Sequence, residues 1–374
     1  MKEHRKIRVL QINKLYYPHI GGIERVVQQI AEGLKGEVDM RVLVCNTGKK
    51  TVRENIHGVS VTRAGSLAMK GSLPVSFKFL REFRRQAKES DVLLFHMPYP
   101  IGDLTYLLSG IRDKKIILWW HSDVVRQKRL MFLYRPLMEW FLKRADKIIV
   151  ATQGHIEGSH YLKPYRGKCV IVPYGIPNKI IGDAGKFERA GQNEPIHEKT
   201  CFLFVGRLVY YKGCDVLLKA FRNVHDAELV IVGTGPLESE LKRLVEEYGM
   251  IDRVHFKRDL PDQQIMEEYQ KCDVFVLPAV ARSEAFGLVQ IEAMAYGKPV
   301  INTALPSGVP YVSIHNVTGL TVEPNHAEQL GDAMNWMVEH PAERMQMGER
   351  ACQRVKEEYQ ESTMIERVMG ALQL

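Results

Sequence analysis

The strongest constraint in the sequence is an alternation of short apolar runs with amphipathic segments, which occurs in two successive series. In the first series, runs such as "KIRVLQIN", "VLLFHM" and "KIILWWH" alternate with segments such as "FKFLREFRRQAKES", whose apolar residues recur at helical spacing. The second series repeats this order from "CFLFVGRL" onward. Apolar strands that alternate with helices are typical of a parallel sheet covered on both faces. The alternation therefore predicts an α/β fold with two doubly wound domains.

A polar stretch without periodicity, "NKIIGDAGKFERAGQNEPIHEK", separates the two series. We predict an N-terminal domain over residues 1–178, a linker over 179–199 and a C-terminal domain over 200–350. The last helical segment, 351–374, has no evident place in the second domain and is expected to cross back to the first. Two such domains facing each other would enclose a cleft at the carboxyl ends of their strands, where doubly wound sheets bind ligands.

Charge is distributed unevenly along the chain. Residues 1–190 contain 34 Lys and Arg against 17 Asp and Glu, a net charge of +17, whereas the remainder carries a net charge of −9. A basic half points to a nucleic acid, an anionic membrane surface or an anionic substrate. The six cysteines show no CxxC pair and no Cys/His cluster at metal spacing, so we predict reduced thiols and no metal site. The first 25 residues have no apolar run long enough for a signal peptide or membrane span, which predicts a cytoplasmic chain.

The segment "SEAFGLVQIEAMAYGKPV" predicts a helix with a ligand-binding N-terminus. Leu288, Ile291 and Ala295 have the spacing of a buried stripe, so the helix is expected to begin near Phe286 or Gly287. Unpaired backbone N–H groups and the positive end of the helix dipole favour a phosphate, and a glycine lets the anion approach closely. We expect these N–H groups to come from Phe286, Gly287 and Leu288.

Two glutamates flank this predicted phosphate site. Glu284 lies beside it, and Glu292 follows about two turns along the helix. A carboxylate accepts hydrogen bonds from two adjacent hydroxyl groups, so a ligand with a phosphate between two polyhydroxylated parts would fit. The pattern indicates a nucleotide sugar, with Glu292 on the ribose and Glu284 on the transferred sugar. The alternative is that Glu284 is only a helix-terminus carboxylate and Glu292 a solvated surface residue.

Two cations follow a predicted strand in "GRLVYYKG". Arg207 comes directly after the strand end at Gly206, and Lys212 lies in the loop before the next helix. Both could neutralise a departing diphosphate without a metal ion. Either cation alone could also be an ordinary surface residue.

Glycine turns and a histidine mark three further strand ends. A lone glycine turn is weak evidence for a phosphate loop, although each turn would bring backbone amides toward the ligand. A histidine at a strand end can bond a sugar hydroxyl or take part in acid–base steps, or it can simply be satisfied by loop backbone. The residues are Gly21 and Gly22 in "IGGIERV", Gly233 and Gly235 in "VIVGTGPL", and His121 in "LWWHSD".

Together these segments resemble the retaining glycosyltransferases of family four (GT4), which have the GT-B fold of two facing Rossmann-like domains with a cleft between them. The motifs "GGIERVV", "HSD", "GRLVYYKG", "VGTGPL", "SEAFGLVQIEAMAYGKPV" and "GLTV" follow that family's order and spacing over nearly the whole chain. The most specific element is "ExFGxxxxEAMAxGxPV". The resemblance implies that the N-terminal domain binds the acceptor and the C-terminal domain binds the nucleotide sugar.

The resemblance also implies roles for individual residues. Glu284 would contact the donor sugar, Glu292 the ribose, and His121 the sugar near its reaction centre. Arg207 and Lys212 would hold the phosphates. The backbone at residues 286–288 would contact the diphosphate, and the mechanism would be a front-side, retaining transfer that needs neither a metal nor a cofactor.

We therefore predict a retaining, metal-independent hexosyltransferase of bacterial surface polysaccharide and lipopolysaccharide synthesis. Its donor would be GDP-mannose or a UDP-sugar, and its acceptor a glycan or a polyprenyl-diphosphate-linked glycan. The basic amphipathic segments "SLPVSFKFLREFRRQAKES" and "RQKRLMFLYRPLMEWFLKRAD" indicate peripheral contact with the anionic inner face of the cell membrane, unless their apolar residues belong to the core.

Two other functions are compatible with parts of the sequence. One is a GT-B nucleotide-sugar epimerase. The other is a nucleic-acid-binding protein that uses the basic N-terminal half. The second alternative lacks a recognised nucleic-acid-binding motif and leaves the two glutamates without a role, so we expect no nucleic-acid partner.

Overall fold

The computed structural model describes residues 5–19, 21–66, 68–70, 73–123, 128–182 and 199–373. The chain divides into two compact units, which are described separately. The first contains Met1–Thr152, Ser159–Pro173 and Ser362–Leu374, and the second contains Gln153–Gly158 and Tyr174–Glu361. Most of the predicted linker lies outside the described residues. The predicted C-terminal segment 351–374 is divided, because its residues from Ser362 onward belong to the first unit.

The described part of the first unit contains ten strands. They are Arg8–Ile12 (β1), Asp39–Cys45 (β2), Val52–Ile56 (β3), Val59–Ala64 (β4), Ala68–Lys70 (β5), Leu73–Val75 (β6), Val92–Met97 (β7), Lys115–Trp120 (β8), Lys147–Val150 (β9) and Cys169–Ile171 (β10). Eight of them form one sheet in the order β10-β9-β8-β7-β1-β2-β4-β3, and β5 pairs with β6. In the large sheet β3 pairs antiparallel with β4, and the other neighbouring strands pair in parallel.

Helices cover this sheet, and its central strands are buried along their length. Every residue of β7 is buried, as expected for a strand covered on both faces. An aromatic cluster fills the space beneath the helices, with the rings of Phe95 and Phe141 in edge-to-face contact at 4.8 Å. The helices of this unit are Gly22–Leu34, Phe77–Glu89, Pro100–Ser109, Lys128–Arg144, Glu361–Leu372 and the 3₁₀ helix Lys163–Lys168.

The last helix, Glu361–Leu372, packs against the first helix of the chain. A side chain at Gly33 would come within 2.6 Å of Ile365, so the absence of a side chain allows this close approach. The ammonium groups of Lys115 and Lys147 donate hydrogen bonds to backbone carbonyls in and just after the last turn. Positive charge at the C-terminal end of a helix stabilises it, so these bonds anchor the end of the chain in the first unit.

In its described residues, the second unit is built on six strands. They are Thr200–Val205 (β11), Ala227–Val232 (β12), Val254–Lys257 (β13), Val274–Val276 (β14), Val300–Thr303 (β15) and Gly319–Val322 (β16). They form one sheet in the order β13-β12-β11-β14-β15-β16, and all neighbours pair in parallel. Counted from β11, this is the 3-2-1-4-5-6 order of a dinucleotide-binding sheet. The prediction of two doubly wound α/β domains is confirmed.

Helices also surround the second sheet. Val274, Val276 and Leu217 belong to the buried core between the sheet and these helices. The helices are Gln153–Gly158, Cys214–Phe221, Glu238–Glu247, Asp262–Lys271, Leu288–Ala295, Val309–Val312, Ala327–Glu339, Pro341–Glu358 and the 3₁₀ helix Tyr210–Lys212.

A carboxyl group is buried in the first unit, in the first turn of the helix Pro100–Ser109. The hydroxyl of Tyr134 donates to Oδ2 of Asp103, while Oδ1 has no hydrogen-bond partner among the described residues. Burial raises the pKa of Asp103 to about 8, and the bond from Tyr134 opposes this only in part. Asp103 is therefore protonated at neutral pH in the folded chain, whereas in an unfolded chain an aspartate ionises near pH 4.

We expect Asp103 to make the chain less stable as the pH rises. Between the unfolded pKa and the folded value of about 8, the folded state binds one proton more than the unfolded state. The stabilisation that protonated Asp103 gives the folded state is thus complete at low pH. The free energy of unfolding falls by about 1.4 kcal/mol per pH unit across this window. Asp103→Asn mimics the protonated acid and should remove this slope. Urea unfolding at several pH values measures it, with the exposed Asp113→Asn as control. Parallel pH profiles for Asp103→Asn and the parent would contradict the assignment.

Candidate functional site

The second sheet has its reversal of strand order between β11 and β14. At such a point the connections that follow the two strands run to opposite faces of the sheet, which leaves an opening at the strand ends. The loop after β11 contains Lys212, and the loop after β14 contains Glu284. Their side chains form an ion pair of 2.7 Å between Nζ and Oε2, and each is only 11% exposed. The structure thus joins two residues that the sequence analysis assigned to different parts of a ligand.

Backbone contacts between the two loops explain why this pair forms. The N–H of Val280 donates to the carbonyl of Tyr211 at 2.9 Å. Gly213 has a positive φ of 69°, and a side chain there would lie 2.0 Å from the carbonyl oxygen of Pro278. The loops therefore pack main chain against main chain, and Lys212 enters the interior beside the second loop.

The charge of Lys212 survives its burial. Burial alone would lower the pKa of its ammonium, but the Glu284 carboxylate outweighs this effect and the pKa lies above its usual value. Lys212 is therefore a permanent positive charge in a position with little water. A lysine ammonium has three N–H donors, so the bond to Glu284 leaves donors for a ligand.

The helix predicted at the glycine-containing motif is Leu288–Ala295, and it begins one or two residues later than expected. Gly287 is its N-cap with a φ of +79°, and a side chain there would lie 2.6 Å from Leu277. The predicted buried stripe is wrong at Leu288, which is only half-buried, and the fully buried Gln290 takes its place against the core. Because Gln290 is polar, apolar periodicity could not reveal it.

A buried polar network supports the start of this helix. Gln290 donates from Nε2 to the carbonyl of Phe286 at 2.9 Å, and Asn302 donates from Nδ2 to Oε1 of Gln290 at 3.0 Å. The hydroxyl of Thr321 in turn donates to Asn302 at 2.7 Å. The ring of Phe286 also packs edge-to-face on Tyr174 at 4.8 Å. The hydrogen bonds and the ring contact together hold the turn before the helix in one position.

The fixed turn carries backbone donors. Within the described part of the chain, no hydrogen bond has the N–H of Phe286, Gly287 or Leu288 as its donor. Three N–H groups at the positive end of a helix dipole suit a phosphate. The positions predicted for phosphate contact are therefore compatible with that role.

Arg207 and the second pair of glycines lie at the neighbouring strand ends. Arg207 is exposed directly after β11 and forms no ion pair with any described residue. A side chain at Gly233 or Gly235 would lie 1.9 Å from the carbonyl of Gly206 or 2.3 Å from that of Leu208, respectively. These two glycines thus allow the loop after β12 to pack on the loop that carries Arg207. Their observed contacts are structural.

Glu292 is half-buried and has a partner that the sequence did not suggest. The hydroxyl of Tyr269 donates to Oε2 of Glu292 at 2.9 Å. Tyr269 is buried in the helix Asp262–Lys271, and its ring stacks on Tyr296. The bond orients the carboxylate. It also argues against the alternative in which Glu292 is merely a solvated surface residue.

In the first sheet the strand order reverses between β1 and β7, and His121 lies beside this point directly after β8. His121 is buried, and its Nε2 lies 2.8 Å from Nδ1 of His96 in β7. Nε2 of His96 in turn lies 2.8 Å from Nε2 of Gln11 in β1. Neither His96 nor Gln11 was predicted from the sequence, although a histidine within the otherwise apolar run "VLLFHM" was a usable signal.

The first glycine pair lies at the start of the helix that follows β1. Gly21 is the N-cap in an extended conformation and Gly22 is the first helical residue. The carbonyl of Gly21 accepts a hydrogen bond from the N–H of Arg25 at 3.0 Å. The pair therefore begins a helix, as predicted for a strand–glycine–helix unit. Among the described residues, no group of three or more His, Cys, Asp or Glu could hold a metal ion.

Comparison with known proteins assigns both halves of the chain. The Glycosyltransferase Family 4 model matches residues 20–178, and the model for glycosyl transferases group 1 matches residues 186–354. D-rhamnosyltransferase WbpZ of Pseudomonas aeruginosa is 35% identical over 92% of this chain and 90% of its own length. O-antigen chain mannosyltransferase C of Escherichia coli is 32% identical over 96% of each chain.

A solved structure gives the same fold. Anabaena HepE in complex with UDP superposes with a TM-score of 0.75 over 98% of this chain and 99% of its own, at 17% sequence identity. The GT-B fold predicted from the sequence is thereby confirmed, and so is the resemblance on which it rested. With relatives above 30% identity along nearly its whole length, the chain belongs to the family-four glycosyltransferases.

Proposed function

We propose that this glycosyltransferase is a retaining, metal-independent hexosyltransferase of bacterial surface polysaccharide synthesis. It takes a sugar from a nucleoside-diphosphate sugar and passes it to a glycan or a polyprenyl-diphosphate-linked glycan. The observation that carries the proposal is the buried Lys212–Glu284 ion pair beside the helix that begins at Leu288. Retention of configuration is implied by the family rather than by any single contact.

The positive groups of this site suit a leaving diphosphate. Negative charge on the diphosphate increases as the glycosidic bond breaks, so donors already in place stabilise the transition state more than the bound substrate. Lys212 supplies a buried charge, Arg207 an exposed one, and the turn at residues 286–288 supplies backbone N–H groups. Together they provide the charge that a metal ion supplies in other transferases.

The two carboxylates suit the two polyhydroxylated ends of the donor. Lys212 holds Oε2 of Glu284, so Oε1 can accept a hydrogen bond from a hydroxyl of the transferred sugar. Tyr269 orients Glu292 in the same way by donating to its Oε2, and a carboxylate held in this orientation can also accept from the ribose. Each carboxylate is thus oriented by one partner before the donor arrives.

The sugars named for the relatives suggest which sugar this chain transfers. WbpZ is a D-rhamnosyltransferase and the Escherichia coli relative is a mannosyltransferase, and D-rhamnose is 6-deoxymannose. This supports GDP-mannose or its 6-deoxy analogue as the donor. UDP-sugars remain the alternative, because HepE was solved with UDP and with UDP-glucose.

A panel of nucleotide sugars tests the proposal. We expect one GDP- or UDP-sugar to raise the melting temperature of the chain in proportion to RT ln(1 + [L]/Kd), and the same donor to support transfer in EDTA with retained anomeric configuration. Glu292→Ala should weaken donor binding by about 10-fold or more through the lost ribose contact. The exposed Glu247→Ala is the control. Donor epimerisation without an acceptor would favour the epimerase alternative, and stabilisation only by duplex nucleic acid would favour the binding protein.

Kinetics of cation variants test the leaving-group role. Arg207→Ala should lower kcat by about 10²-fold with a smaller effect on donor KM and no change in melting temperature, because Arg207 is exposed. Lys212→Ala should lower kcat at least as much, but it also leaves the Glu284 carboxylate buried without its partner, which costs about 3–5 kcal/mol of stability. The exposed Lys219→Ala is the control. A kcat for Arg207→Ala within about threefold of the parent would remove that residue from the site.

The proposed membrane contact rests on one face of the first unit. The helices Phe77–Glu89, Pro100–Ser109 and Lys128–Arg144 pack side by side there. Phe77, Phe132 and Leu133 on them are 76%, 81% and 75% exposed, respectively. We call this three-helix surface the basic apolar face. Phe83, on the same helix as Phe77, packs in the aromatic core, so the apolar residues of this segment belong in part to the core.

Basic residues lie on these helices or contact them. Arg84 joins two of the helices by donating to the carbonyls of Leu108 and Ser109, and Arg112 lies against the rings of Tyr106 and Trp140. Apolar side chains among arginines and lysines fit the headgroup region of an anionic bilayer. Within the described ranges, no helix combines the length and apolar character that a membrane span requires. The exposed basic residues of the helix Phe77–Glu89 are Lys78, Arg81, Arg84, Arg85 and Lys88.

Vesicle sedimentation tests this contact. The parent should bind vesicles of phosphatidylglycerol, release them at high salt, and bind phosphatidylcholine vesicles weakly, because both charge and apolar insertion contribute. The Phe132→Ser/Leu133→Ser variant should lose about 10-fold or more in affinity for the anionic vesicles. Ile251→Ser, at an exposed position of the second unit, is the control. Equal binding of parent and double variant would refute the basic apolar face as the contact.

A further inference from the structure

Three buried side chains form a continuous hydrogen-bonded row across adjacent strands of the first sheet. Gln11 belongs to β1, His96 to β7, and His121 follows β8. We propose that His96 is a positioning residue that holds His121 as the neutral tautomer protonated on Nδ1. The proposal deepens the proposed function, since it rests on the contact of His121 with the transferred sugar.

The orientation of the Gln11 amide determines which atom donates and which accepts in each hydrogen bond of the row. Its Nε2 lies 3.2 Å from the carbonyl of Val27. A carbonyl only accepts hydrogen bonds, so the amide nitrogen and not its oxygen must face Val27. The same nitrogen lies 2.8 Å from Nε2 of His96. An amide NH₂ group has two donors and no acceptor capacity, so Nε2 of His96 must be the acceptor and carries no proton.

The proton positions of both histidines follow from this step. A neutral His96 without a proton on Nε2 carries it on Nδ1, and that N–H donates to Nε2 of His121 at 2.8 Å. Nε2 of His121 therefore accepts, and the proton of a neutral His121 lies on Nδ1. His96 is completely buried, and burial lowers its pKa to about 3, which agrees with its neutral state.

The rings of the row lie in nearly parallel planes. The interplanar angles among Trp119, His96 and His121 are 7° to 14°, as an in-plane hydrogen bond between the two imidazoles requires. A tilt of His121 out of this plane would weaken its bond to His96. The orientation and the tautomer of His121 are thus set by the same neighbour.

This arrangement decides what His121 can do in the reaction. Its acceptor nitrogen is engaged by His96, so it cannot serve as a general base through Nε2. Its other nitrogen carries the proton, so toward any partner, including a hydroxyl or ring oxygen of the sugar, it acts as a donor and not as an acceptor. His121 is therefore a fixed hydrogen-bond donor. The acid–base role that the sequence left open is disfavoured.

Gln11→Glu tests the proposal because glutamate has the shape of glutamine but would reverse the donor and acceptor in each hydrogen bond of the row. An ionised glutamate accepts from Nε2 of His96, and a His96 that stays neutral, as its burial favours, then has an acceptor at Nδ1 and draws the proton of His121 to Nε2. Long-range ¹H–¹⁵N spectra of histidine-labelled full-length chain distinguish the two tautomers. The His96 signals of the same spectra show whether His96 has stayed neutral. We expect His121 protonated on Nδ1 in the parent and on Nε2 in Gln11→Glu, with kcat about 10²-fold lower and donor KM within about threefold of the parent.

Substitution of His96 provides a second test of the proposal. His96→Gln keeps an acceptor toward Gln11 and a donor toward His121, so it should retain kcat within about 10-fold, whereas His96→Leu should lose about 10²-fold. The exposed Gln264→Glu controls for added negative charge. A purely structural His96 would lower the melting temperature of both variants and leave the His121 tautomer and kcat unchanged.

The outcomes separate this proposal from the proposed function. A parent spectrum with His121 protonated on Nε2 or on both nitrogens would overturn the proposal, as would a reversed tautomer with unaltered kcat. The spectra need no substrate. A parent that transfers no sugar would therefore refute the proposed function while the tautomer measurement still decides the role of His96.

Discussion

The reversal of strand order within each sheet is the constraint on which the candidate site depends. Parallel pairing places the carboxyl ends of neighbouring strands at one edge, and the reversal sends the loops that follow them to opposite faces. In the second unit this brings the loops after β11 and β14 together around Lys212 and Glu284. In the first unit it lines up Gln11, His96 and His121 on adjacent strand ends. Main-chain pairing, and not nearness in sequence, assembles both groups of residues.

The Lys212–Glu284 ion pair has a clearer role in the proposed reaction than in the stability of the fold. Taking two charges out of water costs several kcal/mol per ion, and a buried pair often contributes little net stability. Glu284 nevertheless keeps Lys212 charged despite its burial. A charge that is already in place and poorly hydrated needs no rearrangement when negative charge develops on a leaving group. Under the proposed function, the arrangement would therefore assist catalysis at a cost in stability that the surrounding core must offset.

In both units, buried polar side chains hold the groups that are expected to contact the ligand. Beneath the helix at Leu288, the side chains of Gln290 and Asn302 bond the preceding turn in place. Beside His121, the row through His96 does the same for an imidazole. Buried polar groups of this kind are costly when unpaired, so each hydrogen bond among them favours one geometry. The groups expected to meet the ligand are therefore positioned by residues buried behind them.

Apart from the strands β3, β4, β5 and β6, which were not predicted, the sequence by itself determined the alternation of strands and helices, the two-domain α/β architecture, the family and the start of the glycine-containing helix to within two residues. These features depend on neighbours along the chain, because strand and helix periods and glycine positions act locally. Tertiary structure alone decided that Lys212 meets Glu284, that Tyr269 orients Glu292 and that Phe83 is core while Phe77 is exposed. Each of these outcomes depends on which strands become neighbours and on which helix covers them. Local apolar patterns do not contain that information, because every strand of a parallel sheet has much the same pattern whatever its place in the order.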